Sequence, residues 1–263
     1  MNELWTKRWH MAFAMVILAA SAFLPSSPAS AATIYPVPAA LKNHPFGKEF
    51  KPAELAGPAW NAPANDPGNC PPNPSQVHVN ASGYAELDTN GKSGNCTNSQ
   101  SPHTYPTVDG YVYEAKIWVS SYANWPAFWM YGDDWPSQGE IDAMEITEGQ
   151  NCVTWHYGTN ASNQQPSTCY NGGLTPTAGV PNIKANAWNT VDIAFGGNRI
   201  EVFYNGKSYV TIPETLTNTT DDPMWITFSE GSCSTPNGNT CVNGTQGIGT
   251  SGNLQIQYLR IFT

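Results

Sequence analysis

Arg199-Ile200-Glu201-Val202-Phe203-Tyr204-Asn205-Gly206-Lys207-Ser208-Tyr209-Val210-Thr211-Ile212 reads as two β-strands joined by a tight turn. Val, Ile, Phe and Tyr suit a pleated, half-buried surface. Asn205-Gly206 can take the positive backbone angles that a two-residue type I′ turn demands. Outward from this hairpin the same grammar recurs: short apolar or alternating runs bounded by Gly, Pro, Asn and Ser at 76–87, 110–120, 125–131, 139–147, 152–157, 190–195, 199–204, 208–212, 224–228 and 254–262. Outside residues 1–31 no stretch carries sustained helical periodicity. Strands without helical crossovers imply an all-β fold, antiparallel sheets stacked as a β-sandwich or jelly roll. The Pro/Ala-rich segment 32–74 reads as irregular chain wrapping that sandwich. The run 254–262 reads as a strand of clean apolar/polar alternation, so no appended module is expected after it.

The chain has 263 residues, of which 40% are hydrophobic and 12% charged. It is too apolar for a disordered chain, and its length is ordinary for one sandwich domain. Lys7 and Arg8 precede an apolar run at 11–24, followed by Pro25, Pro28 and Ala29-Ser30-Ala31. This is the order of a secretory signal cleaved after Ala31; the run is shorter than the ~20 residues of a membrane span. The expected organisation is therefore a 1–31 signal peptide and a single catalytic domain at 32–263, secreted, monomeric and free of the membrane after cleavage. Without Glu3, Lys7 and Arg8 the mature chain keeps 9 basic and 19 acidic residues. Such an acidic protein has no footprint for a nucleic-acid backbone and repels anionic polymers.

Cys70, Cys96, Cys152, Cys169, Cys233 and Cys241 all lie in the exported part. An even count in an oxidising compartment implies bridges. Loop closure between neighbours suggests Cys70–Cys96, Cys152–Cys169 and Cys233–Cys241. No Cys-x-x-Cys pair points to a metal, and no metal or cofactor is expected from the motifs.

Three acids crowd the stretch Trp135-Pro136-Ser137-Gln138-Gly139-Glu140-Ile141-Asp142-Ala143-Met144-Glu145-Ile146. Side chains alternate faces along a strand, so Glu140 and Asp142 share one face and Ile141 takes the other. A regular strand would drive Glu145 to the Ile141 face, at a desolvation cost of several kcal/mol. One extra residue at Ala143 or Met144 removes the conflict, and such β-bulges recur beside active sites. Acids brought that close cannot all ionise at neutral pH. A protonated acid beside a carboxylate is the apparatus of glycoside hydrolysis.

The pattern Glu140-Ile141-Asp142-Ala143-Met144-Glu145 resembles the Glu-x-Asp-x-x-Glu signature of glycoside hydrolase family 16, in its bulged laminarinase-like form. Trp125-Pro126-Ala127-Phe128-Trp129-Met130, Trp135-Pro136, Gly110-Tyr111-Val112-Tyr113-Glu114-Ala115-Lys116-Ile117, Val202-Phe203-Tyr204-Asn205-Gly206 and Tyr258-Leu259-Arg260-Ile261-Phe262 are similar to further family elements, so the resemblance covers about residue 76 to the end. It implies a concanavalin A-like jelly roll with a concave substrate cleft. It also implies retaining hydrolysis inside polysaccharides, with Glu140 as nucleophile, Glu145 as acid/base and Asp142 tuning both. The implied substrate is a β-1,3- or mixed-linkage β-1,3-1,4-glucan. Alternatives are an agarose-type galactan hydrolase and a non-catalytic, lectin-like glycan binder. Many similar enzymes carry a structural Ca²⁺, whose ligands nothing in this sequence identifies. Val112 stands where many laminarinases have an Arg that faces the sugar.

Sugar rings pack their C–H faces on aromatic side chains. Trp135, five residues before Glu140, is expected to face substrate. Trp125 and Trp129 share parity on one strand and are either both in the cleft or both in the core. Trp225 beside Met224 is expected in the core. His156 shares a face with Thr154 on the strand after the acids and is expected to meet a carboxyl or a sugar hydroxyl.

Overall fold

The chain divides into two units, Met1–Ala32 and Thr33–Thr263, and every residue described below belongs to the second. A computed structural model describes residues 45–60, 75–89, 96–122, 124–147, 150–158, 174–196, 199–213, 222–231 and 252–263. The expected signal peptide and Cys70, Cys169, Cys233 and Cys241 lie outside them.

The strands are β1 (Phe46–Phe50), β2 (Val77–Val79), β3 (Ala85–Asp88), β4 (Cys96–Gln100), β5 (Val112–Val119), β6 (Ala127–Gly132), β7 (Glu140–Thr147), β8 (Gln150–His156), β9 (Trp188–Phe195), β10 (Arg199–Tyr204), β11 (Lys207–Pro213), β12 (Met224–Gly231) and β13 (Asn253–Phe262). One helical turn, α1 (Pro52–Leu55), follows β1. Eight strands form one antiparallel sheet in the order β11-β10-β9-β5-β13-β3-β2, with β1 also on β13; five form the other, in the order β4-β12-β6-β7-β8. The all-β sandwich read from the sequence is the fold observed.

Alternation explains the packing. Phe128, Met130, Ile141, Ile146 and Trp155 point from the smaller sheet, and Tyr113, Ile117, Val191, Val202, Leu254 and Leu259 from the larger, into one buried core. Each apolar side chain of this kind contributes roughly 1.5–3 kcal/mol by leaving water. The β10–β11 turn has φ of 51° at Asn205 and 75° at Gly206, both positive as the Asn-Gly pair requires.

Three expectations need correction. Segment 32–74 is not wholly irregular: β1 adds to β13 through Phe46↔Phe262 to Phe50↔Leu259, and Leu55 of α1 is buried. The run 76–87 is two strands, β2 and β3, because Asn80 closes a turn by accepting the Ser82 and Tyr84 amides. The alternation of β13 is not clean. Ile256 pairs with Ile117 and Tyr258 with Lys116, so Gln257 is an extra residue that re-phases the strand, restoring Leu259 and Ile261 to the core.

Cys96 and Cys152 are disulfide-bonded. They sit on opposite edge strands of the five-stranded sheet. Four strand spacings of ~4.8 Å are far beyond the Cα separation one disulfide can span. They are therefore not bonded to each other.

Candidate active site

The outer face of the five-stranded sheet is built from polar and aromatic side chains at alternate positions. Cross-strand pairing aligns Gln100, Thr227, Trp129, Asp142 and Thr154 in one row, and Trp225, Tyr131, Glu140 and His156 in the next. An outward face would ordinarily be wet. Here Thr227, Trp129, Tyr131, Asp142 and Thr154 are all buried, which makes it a recessed floor rather than a surface.

The acids reach that floor as the sequence predicts. On the β6 side Trp129 pairs with Asp142 and Phe128 with Met144; on the β8 side the register shifts between Asp142 and Glu145. One residue, Ala143, is therefore unmatched against β6. Ala143 and Met144 are both in the core, and Glu145 returns to the face of Glu140 and Asp142. Ahead of the strand, Gly139 has φ of 81°, and a Cβ there would stand 2.3 Å from the Trp155 ring. Only glycine lets the chain enter β7 this closely.

Each acid has its own polar neighbour. Trp125 Nε1 donates to Glu145 Oε1 at 2.7 Å. His156 Nε2 lies 3.0 Å from Asp142 Oδ2 and 3.9 Å from Glu140 Oε1. One carboxylate oxygen each of Glu140 and Asp142 and a ring nitrogen of His156 lie within 4.8 Å of one another. The Trp135 indole nitrogen is buried without a hydrogen-bond partner. Burial pushes all three carboxyls upward. The negative charge of Asp142 adds to this at Glu140, and that of Glu145 adds to it at Asp142. His156 opposes the shift at Glu140, and the Trp125 bond followed by His156 opposes it at Glu145. Three acids on one strand therefore hold protons as a set. The side chains of Glu140 and His156 keep 12% and 13% of their surface exposed, leaving an entry to this set.

The expected aromatic residues are on this face. Trp125 donates to Glu145, and Trp135 packs against the aromatic cluster of the floor. Trp129 is a floor residue, stacked on Tyr131 at 5.0 Å with its Nε1 donating to Ser229. His156 meets the carboxyls, as expected. Trp225 is not in the core. It pairs with Tyr131 on the outer face, packs beside Trp129 and donates Nε1 to Asp133 Oδ1 at 2.5 Å. Parity could have revealed it: Met224, Ile226 and Phe228 are the core set of β12, so Trp225 belongs with Thr227 and Ser229. Val112 is on the opposite sheet, packed with Ala194, Phe203 and Phe262. Its departure from the laminarinase Arg therefore has no bearing on this floor.

Residues 75–190 match the model of the XgeA-like catalytic domain of glycoside hydrolase family 16. The match covers 116 of the 263 residues. A short stretch of 36 residues is 58% identical to a Schizosaccharomyces pombe protein described as a probable glycosidase, and the chain spans about 9% of that protein's length. The fold is that of a laminarinase from Flavobacterium sp. UMI-01 (TM-score 0.57, 15% identity, covering 83% of this chain and 100% of that one). A Bacteroides ovatus family 16 endo-glucanase is similar (TM-score 0.52, 19% identity, 81% and 93% covered). So is a structure of human gut microbiota endo-acting O-glycanases that initiate mucin breakdown (TM-score 0.55, 18% identity, 72% and 82% covered). The sandwich thus has the jelly-roll architecture of these structural neighbours.

Among the described residues, neither cluster of acidic and imidazole side chains is by itself the donor set for the calcium implied by the resemblance. His78, Glu86 and Asp88 form one cluster, and Glu140, Asp142 and His156 another. Each offers an imidazole and two carboxylates, whereas Ca²⁺ takes six to eight oxygens.

Proposed function

We propose that the domain is a secreted, monomeric, retaining endo-β-glucanase acting on β-1,3- or mixed-linkage β-1,3-1,4-glucan. The observation that carries this reading is the bulge at Ala143, because it turns Glu145 onto the recessed face with Glu140 and Asp142. A lectin has no use for three carboxyls sharing protons on an aromatic floor. The family match supports glycoside hydrolysis, and the laminarinase and glucanase neighbours favour the substrate class. The leader-like residues 1–31 and the bridged Cys96 and Cys152 support export, since disulfides persist in oxidising compartments.

In this reading Glu140 attacks the anomeric carbon while Glu145 protonates the leaving glycosidic oxygen. A glycosyl ester on Glu140 forms as the bond breaks. Glu145 then takes a proton from water, which attacks the ester and frees Glu140. Burial raises the pKa of both Glu140 and Asp142, so attack requires Glu140 to give up its proton, and Asp142, with a carboxylate oxygen within 4.8 Å, is the neighbouring group that can take it. Trp225 and Trp135, partly buried against Trp129 and Tyr131, offer ring faces to the sugar.

The test is reducing-sugar release from laminarin, barley mixed-linkage glucan, agarose and mucin O-glycans, by the wild type and by Glu140→Gln. The proposal expects release from the first two with the β-anomer formed first, and loss in the variant. Release confined to agarose or O-glycans replaces the substrate class. Undiminished hydrolysis by Glu140→Gln ends the mechanism.

A further inference from the structure

A bulge leaves backbone groups that the ladder cannot satisfy, and something must fix their direction. At β7 that partner comes from the other sheet. Tyr204, the last residue of β10, reaches across the sandwich and donates its hydroxyl to the Ala143 carbonyl at 2.6 Å. Tyr204 is 1% exposed and stacks on Tyr209 with ring centroids 4.1 Å apart. Tyr209 occupies a bulge of its own: Val202 pairs with Val210 but Phe203 with Ser208. The phenol oxygen in turn accepts from Asn151 Nδ2 at 2.7 Å. Asn151 lies on β8 opposite Ile146, one residue beyond Glu145, and also donates to Asn182 Oδ1 at 2.9 Å. The phenol is thus held by a ring stack on one side and an amide on the other, and its proton is committed to the unmatched residue of β7.

We propose that Tyr204 is a positioning residue of the active site: its hydroxyl locks the Ala143 carbonyl and so fixes the direction in which the bulge presents Glu145 to Glu140. The proposal rests on the hydrolytic reading above. Tyr204 touches no substrate and acts through the backbone. An acid displaced by about 1 Å loses on the order of a hundredfold in rate, so the hydroxyl should show in turnover rather than in binding.

Tyr204→Phe keeps the ring and the stack and removes only the donor. Its kcat is expected to fall ten- to a hundredfold with KM within twofold, measured well below its melting temperature. The midpoint of the Glu145 carboxyl, followed by ¹³C NMR, should move upward as the Trp125 bond loosens. Val202→Ala, in the same sheet and core but without a bond to the bulge, serves as a control matched for lost stability and should keep both readouts. If Tyr204→Phe does not fold, Asn151→Leu removes the amide that holds the phenol and should lower kcat in the same direction, by less. Wild-type kcat and an unmoved Glu145 midpoint in the folded variant would overturn the proposal. An inactive wild type, or a Glu140→Gln variant as active as wild type, would overturn the hydrolytic reading instead, and the NMR midpoint would still decide the role of Tyr204.

Discussion

Both sheets turn acids toward their outer faces, and the two sets are compensated differently. On the eight-stranded sheet Glu49, Arg260, Glu114 and Asp192 follow one another across strands, while Glu201 lies beside Arg199 and Ser208. Arg260 bonds Glu49 at 2.7 Å and reaches Glu114 at 3.5 Å, and Arg199 reaches Glu201 at 3.3 Å. On the five-stranded sheet Glu140, Asp142 and Glu145 have one indole N–H, that of Trp125, and one imidazole, with no arginine or lysine bridge to any of them among the described residues. An arginine fixes a carboxylate in its charged state, because it cannot give up its proton. An indole or imidazole steadies a carboxylate and still lets it protonate. The difference separates acids that hold the sandwich together from acids that can exchange protons.

The most severe way to break this comparison is to neutralise one acid on each face. Glu140→Gln is expected to lower kcat by at least about a thousandfold, as the loss of a nucleophile or of acid/base chemistry does. Glu114→Gln should leave kcat within about twofold, since its partners are Arg260 and Asp192 on the far sheet. Equal losses in both, measured by reducing-sugar release, would mean that the two faces do not differ in function.

A finer probe removes one donor on the active face. Trp125→Phe deletes the bond that holds the Glu145 carboxyl down. A hydrogen bond to a charged group is worth about 1.5–3 kcal/mol, which is roughly one pH unit or more. Without it Glu145 keeps its proton to higher pH. The alkaline limb of the kcat profile should therefore move upward by about that amount, and an unmoved limb would sever the indole from the chemistry.

The bulge of β7 was legible because it resolves a conflict: Glu145 has the wrong parity beside Ile141 and Ile146, and only an extra residue places it. The bulge of β13 carries no such mark. Gln257-Tyr258 puts a polar and an amphipathic residue where either phase is tolerable, so the change of face is hidden until Leu259 and Ile261 are seen in the core. Strand β4 escaped for a related reason. Cys96-Thr97-Asn98-Ser99-Gln100 has no apolar pattern, and its burial rests on specific bonds such as Tyr131 to Gln100 Oε1 and Ser99 to the Leu55 carbonyl. Hydrophobic periodicity sees burial by transfer from water and is blind to burial by hydrogen bonding. The Tyr204 contact is less legible still, since it joins residues 61 positions apart through a backbone oxygen.

Asp192 tests the one acid on the larger sheet that resembles the active set. It is fully buried, burial is the main cause of its raised pKa, and the charge of the neighbouring Glu114 adds to it. The folded form therefore binds its proton more tightly than the unfolded chain, whose value is about 3.9. As pH rises through the window from about 4 to the raised folded value, Asp192 removes stability, at up to about 1.4 kcal/mol per pH unit. Asp192→Asn should flatten that slope, so that its melting temperature gains on the wild type between pH 5 and pH 7. Parallel melting curves would show that Asp192 does not carry this pH dependence.

The smallest effect is expected at Glu49, the outermost member of the arginine-compensated row. Its bond to Arg260 is short at 2.7 Å, but the two side chains are 28% and 36% exposed. Solvent screens such a pair, holding two long side chains in one geometry costs entropy, and exposed bridges contribute only about 0–1 kcal/mol. Arg260 also keeps its second carboxylate at Glu114 and its ring contact with Tyr258, 3.9 Å from the centroid, when Glu49 is neutralised. Glu49→Gln should therefore lower the melting temperature by no more than about 2–4 °C, an effect that fades in high salt. A larger, salt-insensitive loss would mean that the bridge pins β1 to β13 and that the compensated row is structural along its whole length, including its exposed end.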